Sequence, residues 1–221
     1  MNYLPVTNGT QPTPRVAADF SLWKATWAGL GVECALHDVY DRLSARYGEP
    51  HRAYHTRDHL EDCLSLLAEA RDQCKYPDEV ALALWFHDAI YEPRRSDNEL
   101  ASASWLVNVA SLAGVPEPSI ARMSSLIMAT RHETIARLGD EGLLVDIDLA
   151  ILGSSPQRFE TYEAQIRREY RWVPGPIYRA GRARIMRSFL DRAAIYVTAS
   201  FHARFEQEAR ANIARSPELL D

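Results

Sequence analysis

The run Val80-Ala81-Leu82-Ala83-Leu84-Trp85-Phe86 constrains this chain more than any other stretch, because it has no polar face. A helix that is apolar on every side has to sit in the middle of a larger structure. Pro77 suits the first turn of such a helix, which is expected to run from Pro77 to Tyr91. Two side chains that need water, His87 and Asp88, lie near its end. Burying an ionisable pair is costly unless something compensates, and a metal ion is one of the few adequate partners.

The remaining patterns supply helices to surround that core. Asp19 is placed to cap a helix carrying Phe20, Trp23, Trp27 and Leu30, which Gly29 and Gly31 break. A second helix carries Val32, Leu36, Val39, Tyr40 and Leu43, and a third starts near Thr56 with Leu60, Cys63, Leu64 and Leu67 inward. Ser96-Asp97-Asn98-Glu99 matches a capping box, which accounts for Glu99, and opens a helix running to about Gly114. Helices over about 119–131, 143–152, 156–170, 178–190 and 199–214 follow. Gly153 reads as a C-terminal cap, Pro174-Gly175-Pro176 as a loop, and Ile195–Thr198 as a short extended piece. No stretch shows sustained alternation. The expected fold is all-α, one helical bundle of nine or ten helices over residues 15–221, preceded by an extended or flexible arm over residues 1–14.

Charge and cysteine usage narrow the partners. A net charge of -5 gives no basic footprint for a nucleic-acid duplex. Three cysteines without C-x-x-C spacing build neither a disulfide framework nor a cysteine zinc site, which fits a reducing cytoplasm. The start lacks a signal pattern, and the apolar runs are too short to span a membrane.

The chemistry-bearing residues fall into a few places. His55 and His59 stand at i and i+4, which on a helix is one face. Asp146 and Asp148 lie in the second all-apolar helix, about 200° apart, so only one of them faces a given site. Two imidazoles and two carboxylates make a mixed N/O shell suited to Mn, Fe, Co, Ni or Zn, or to Mg with added water. His37-Asp38 is another His-Asp pair, but it sits on a solvated helix face. His51 and His202 read as surface residues. Arg167, Arg168, Arg171, Arg179, Arg182, Arg184 and Arg187 crowd one segment and read mostly as solvated surface, with one or two reaching a substrate.

In order, His59, His87-Asp88 and Asp148 resemble the H…HD…D series of the HD superfamily of metal-dependent phosphohydrolases. Tyr54-His55-x-x-x-His59 is similar to the start of the cyclic nucleotide phosphodiesterase domain, where the first histidine protonates the leaving group and the second binds metal. Tyr54-His55-Thr56-x-x-His59, Phe86-His87-Asp88-Ala89-Ile90-Tyr91 and Asp97-Asn98-Glu99 resemble a bacterial HD subgroup, over about Tyr54–Glu206. HD-G-Y-P and HD-I-G-K forms are absent.

The resemblance implies a metal held by His59, His87, Asp88 and Asp148, with Asp148 chosen over Asp146 because Ile147-Asp148-Leu149 resembles the family's Ala-Asp-Leu. It implies His55 and Asp88 in catalysis, and a small phosphorylated substrate, such as a nucleotide, attacked by metal-activated water. His132 falls where two-metal members supply a further histidine, and Asp97 and Asn98 are placed to face the site for a second metal or substrate. The alternatives are a di-iron oxygenase of the same fold and a nucleotide-sensing module without turnover.

Overall fold

The computed structural model describes residues 15–33 and 36–216. The arm expected over residues 1–14 lies outside them. Ten α-helices and no strand occur among the described residues. They are α1 (Phe20–Gly29), α2 (His37–Tyr47), α3 (Arg57–Glu69), α4 (Pro77–Phe86) and α5 (Asn98–Leu112). After these come α6 (Glu117–Ala129), α7 (Asp140–Leu149), α8 (Pro156–Glu169), α9 (Gly175–Leu190) and α10 (Ala199–Ala214). Single 3₁₀ turns lie at Arg71–Gln73 and Ala150–Gly153. No helix among the described residues is long and apolar enough to cross a membrane.

The bundle is organised around α4, which packs against α1, α3, α5, α6 and α7. Every α4 residue from Glu79 to Phe86 is buried. Glu79 is buried as an ion pair, its two oxygens meeting Arg122 of α6 at 2.5 and 2.7 Å. Trp23, Trp27, Trp85 and Phe86 fill the contact with α1, and Trp23 meets Trp85 edge-on with centroids 5.4 Å apart.

Local signals held where a side chain reached its backbone target. Asp19 accepts from the Leu22 amide at 3.0 Å and caps α1, and Ser155 accepts from the Arg158 amide ahead of Pro156. Other boundaries moved. The α4 helix ends at Phe86 rather than Tyr91, because the turn beyond it is held by side chains from elsewhere. The expected capping box does not form: α5 starts at Asn98, with Asp97 at the cap position and no side-chain cap bond. Instead Asn98 closes the preceding loop through the Glu92 amide and carbonyl at 3.1 and 3.0 Å, and Asp97 pairs with Arg95. The α9 helix begins at Gly175, within the stretch expected to be loop, with Pro176 in its first turn where no amide is needed.

The apolar stretch 143–152 is not one helix, because α7 gives way to the 3₁₀ turn at Ala150. Gly153 is no left-handed cap. A Cβ there would lie 2.6 Å from the Cβ of Phe205, so glycine lets α10 pack closely on this turn. The Ile195–Thr198 segment pairs with no strand. Its amides are accepted by two buried carboxylates, Glu206 at Ile195 and Tyr196, and Asp146 at Val197 and Thr198.

Candidate metal centre

Three helices that meet at the core deliver the polar cluster. His59 comes from the first turn of α3, His87 and Asp88 from the end of α4, and Asp148 from the last turn of α7. Nε2 of His59 lies 3.1 Å from Nε2 of His87, 3.2 Å from Oδ1 of Asp148 and 3.6 Å from Oδ2 of Asp88. Nε2 of His87 lies 3.1 Å from Oδ2 of Asp88 and 3.7 Å from Oδ1 of Asp148. Ligands about 2.1 Å from one ion are about 3.0 Å apart at right angles and about 3.4 Å apart in a tetrahedron. Three of the observed separations, 3.1, 3.1 and 3.2 Å, fall in that range, and the other two, 3.6 and 3.7 Å, lie slightly above it.

The donor chemistry fits a cation on further grounds. Nδ1 of His87 donates to the Leu84 carbonyl at 2.7 Å, which leaves Nε2 as the lone-pair nitrogen. Two imidazole nitrogens 3.1 Å apart cannot both present lone pairs without a proton or cation between them. Oδ2 of Asp88 is buried and makes no hydrogen bond, even toward His87. Two carboxylates with two neutral imidazoles balance one divalent charge. The C-terminus of α4 adds negative dipole potential at His87.

The turn after the dyad is rigid because nearly every carbonyl is answered, as a buried helix end requires. Tyr47 donates its hydroxyl to the Trp85 carbonyl at 3.1 Å. Arg52, fully buried, donates to the carbonyls of Asp88, Ala89 and His55 at 2.7, 3.2 and 3.1 Å. Ser102 of α5 brackets Ile90, and Nε2 of His51 meets the Tyr91 carbonyl at 2.7 Å. His51 is therefore half-buried structure rather than free surface.

His55 is not on the helix with His59: it sits in the turn before the Thr56 cap of α3. What places it is Glu169, at the end of α8. Oε1 of Glu169 accepts the amides of Ala53, Tyr54 and His55, and Oε2 meets Nδ1 of His55 at 2.8 Å and the Tyr91 hydroxyl at 2.8 Å. Burial alone would raise the Glu169 carboxyl, but His55 and the amides bring it down to about 2. Burial would lower the His55 imidazole, yet Asp88 and Glu169 beside it raise it overall. Tyr91 stacks on the ring at 4.0 Å.

The structure brings together His59, His87, Asp88 and Asp148, with His55 and His132 beside them. Nε2 of His132 lies 3.0 Å from Oδ2 of Asp148, and His132 itself adopts φ 55, the left-handed region that strains a residue with a side chain. Asp97 and Asn98 do not join: their side chains belong to the loop described above. Glu99, read as a cap, instead lines a cavity of about 620 Å³ together with His55, Asp88, His132 and Asp148. The far walls are largely apolar, with Ile166, Val173, Ile177, Ile185 and Phe189, and Arg131, Arg182 and Arg192 lie among them. Of the seven arginines on the basic segment only Arg182 lines it, buried and paired with Glu163.

Sequence reasoning missed Glu169, Arg52 and Cys63. Glu169 stands in Arg168-Glu169-Tyr170, amid residues read as solvated, and Arg52 is in a loop with no periodic signal. Cys63 was counted with the apolar stripe of α3, although it lies four residues from His59 and so on the same helix face.

No family model, no curated protein and no solved structure matches the chain.

The electrostatics set the expected pH dependence of metal binding. Burial alone would depress His87, but Asp88, Asp148 and the Leu84 carbonyl outweigh it and raise its pKa to about 9. A metal must displace that proton. Apparent affinity for Mn or Zn should therefore climb about tenfold per pH unit per displaced proton below pH 9 and level off above it. Calorimetric titrations at pH 6.5, 7.5 and 8.5 read this slope, and a flat profile would contradict it.

Proposed function

We propose that the chain is a metal-dependent phosphohydrolase of the HD type, acting on a small phosphate ester. The observation that carries this reading is the convergence of His59, His87, Asp88 and Asp148 beside a cavity that His55 also lines. A divalent cation bound there supplies Lewis acidity and a water acidic enough to act as nucleophile near neutral pH.

The chain's own residues do the rest. His59 and His87 present Nε2 and the two aspartates present carboxylate oxygens, so the ion is held on both charge and geometry. Glu169 engages Nδ1 of His55 and raises the imidazole's proton affinity. That arrangement leaves Nε2–H of His55 to protonate a leaving oxygen in the cavity. Apolar side chains line the rest of the cavity, and Arg131 and Arg192 supply cations toward a phosphate. The cavity volume suits a substrate of nucleotide size.

A panel of phosphate monoesters and diesters, assayed with Mn, Mg, Co, Ni and Zn, tests the reading. Metal-dependent release of phosphate or of an alcohol from at least one ester supports it. The placement of His132 on Asp148 favours one rival, a di-iron oxygenase, so metal content is measured alongside. Two irons per chain and oxygen consumption would replace the hydrolase reading. Nucleotide binding without product release would point to a sensing module.

A further inference from the structure

Cys63 is fully buried on α3, one turn beyond His59, and its sulfur lies 3.8 Å from Nδ1 of His59 and 3.7 Å from Nε2. That nitrogen is the one already aimed at the centre. A thiolate about 2.3 Å from an ion and an imidazole nitrogen about 2.05 Å from it stand about 3.6 Å apart in a tetrahedron. The sulfur, Nε2 of both histidines or their partner nitrogens, and a carboxylate oxygen of Asp148 all fall within 4.8 Å of one another. His59, His87 and Asp148 therefore belong to two overlapping donor sets. Asp88 completes one from the side of the 620 Å³ cavity. Cys63 completes the other from a separate cavity of about 360 Å³, which it lines with His59, Asp148, Arg158 and Arg204.

We propose that Cys63 is a thiolate ligand of the same metal centre, which makes it a site for a thiophilic ion such as Zn, Co or Fe in preference to Mg. The inference rests on the metal-binding reading above and adds a donor to it. On binding, the Cys63 thiol gives its proton to solvent and its sulfur electron pair to the ion, with no change of oxidation state. A soft sulfur donor shifts selectivity toward Zn, Co and Fe, whereas an all-oxygen and imidazole shell tolerates Mg and Mn.

Titration of the full-length protein with Co(II), followed by absorption, tests this. The wild-type chain is expected to show visible d–d bands together with a near-ultraviolet sulfur-to-cobalt charge-transfer band. Cys63→Ser should keep the visible bands and lose the near-ultraviolet one, while Cys74→Ser, the other described free thiol, keeps both. The Cys63→Ser variant should also lose at least tenfold in preference for Zn over Mg in competition dialysis. Thermal melts of each variant establish that it is folded, and Cys63→Ala serves if serine fails to fold. Visible bands with no thiolate band in the wild type would overturn the Cys63 ligand and leave the metal centre standing. No cobalt spectrum at all would overturn both.

Discussion

His55→Ala should lower turnover of an ester with a poor leaving group by about 10²–10⁴ while metal content stays unchanged. The imidazole is near the centre but is not among its ligands: its ring lies 6.0 Å from that of His59, centroid to centroid. Its hydrogen bond is to Glu169, which orients Nδ1 and favours the protonated ring. An activated ester such as p-nitrophenyl phosphate needs less protonation of its leaving oxygen and should lose far less. Glu169→Gln should reproduce the same leaving-group dependence and move the alkaline limb of the pH–rate profile, where the general acid loses its proton, toward lower pH, since the raising carboxylate is gone. If His55 only anchors the start of α3, the mutation lowers thermal stability and slows both substrates alike, and the catalytic role is withdrawn.

The two aspartates of α7 should respond in opposite ways. Asp146 accepts the Val197 amide at 2.9 Å, the Thr198 amide at 2.7 Å and the Thr198 hydroxyl at 2.6 Å, tying α7 to the start of α10. Burial raises its pKa, and these hydrogen bonds oppose the rise. Asp146→Ala strands three half-buried donors, and a donor left unpaired costs about 1–3 kcal/mol when fully buried, so stability should fall by about 3 kcal/mol with metal affinity largely kept in the folded fraction. Asp148 faces the cluster, where its oxygens meet His59 and His132. Asp148→Ala should lose metal affinity by at least 100-fold in the folded fraction, whereas Asp146→Ala should not. Denaturant unfolding and metal titration of both variants separate these outcomes. Equal loss of metal in two folded variants would refute the assignment.

Much of this arrangement was legible in the chain because burial and periodicity carry it. The α4 run announces a central helix through the absence of any polar face, and it ends on the one dyad that such burial makes costly. The separation of Asp146 from Asp148 follows from helical geometry alone, and the structure turns one toward α10 and the other toward the centre. What was not legible depends on contacts between residues far apart in sequence. Glu169 reaches His55 across 114 positions, and nothing near either residue marks the pairing. Arg52 clamps the turn at Asp88 from a loop that has no period to read. The capping box at Ser96 misled because Asn98 found better partners in the Glu92 backbone, a tertiary outcome that local pattern does not encode. Cys63 was hidden by its apolar company: a buried cysteine in a leucine stripe reads as packing until a ligand nitrogen is seen beside it.

Anomalous diffraction from manganese-loaded crystals tests the central claim most directly. The account predicts a metal peak between Nε2 of His59, Nε2 of His87 and the carboxylates of Asp88 and Asp148, at about 2.0–2.3 Å from each. A folded, manganese-saturated chain whose metal peak lies elsewhere, with these four side chains joined only by protons, would contradict it.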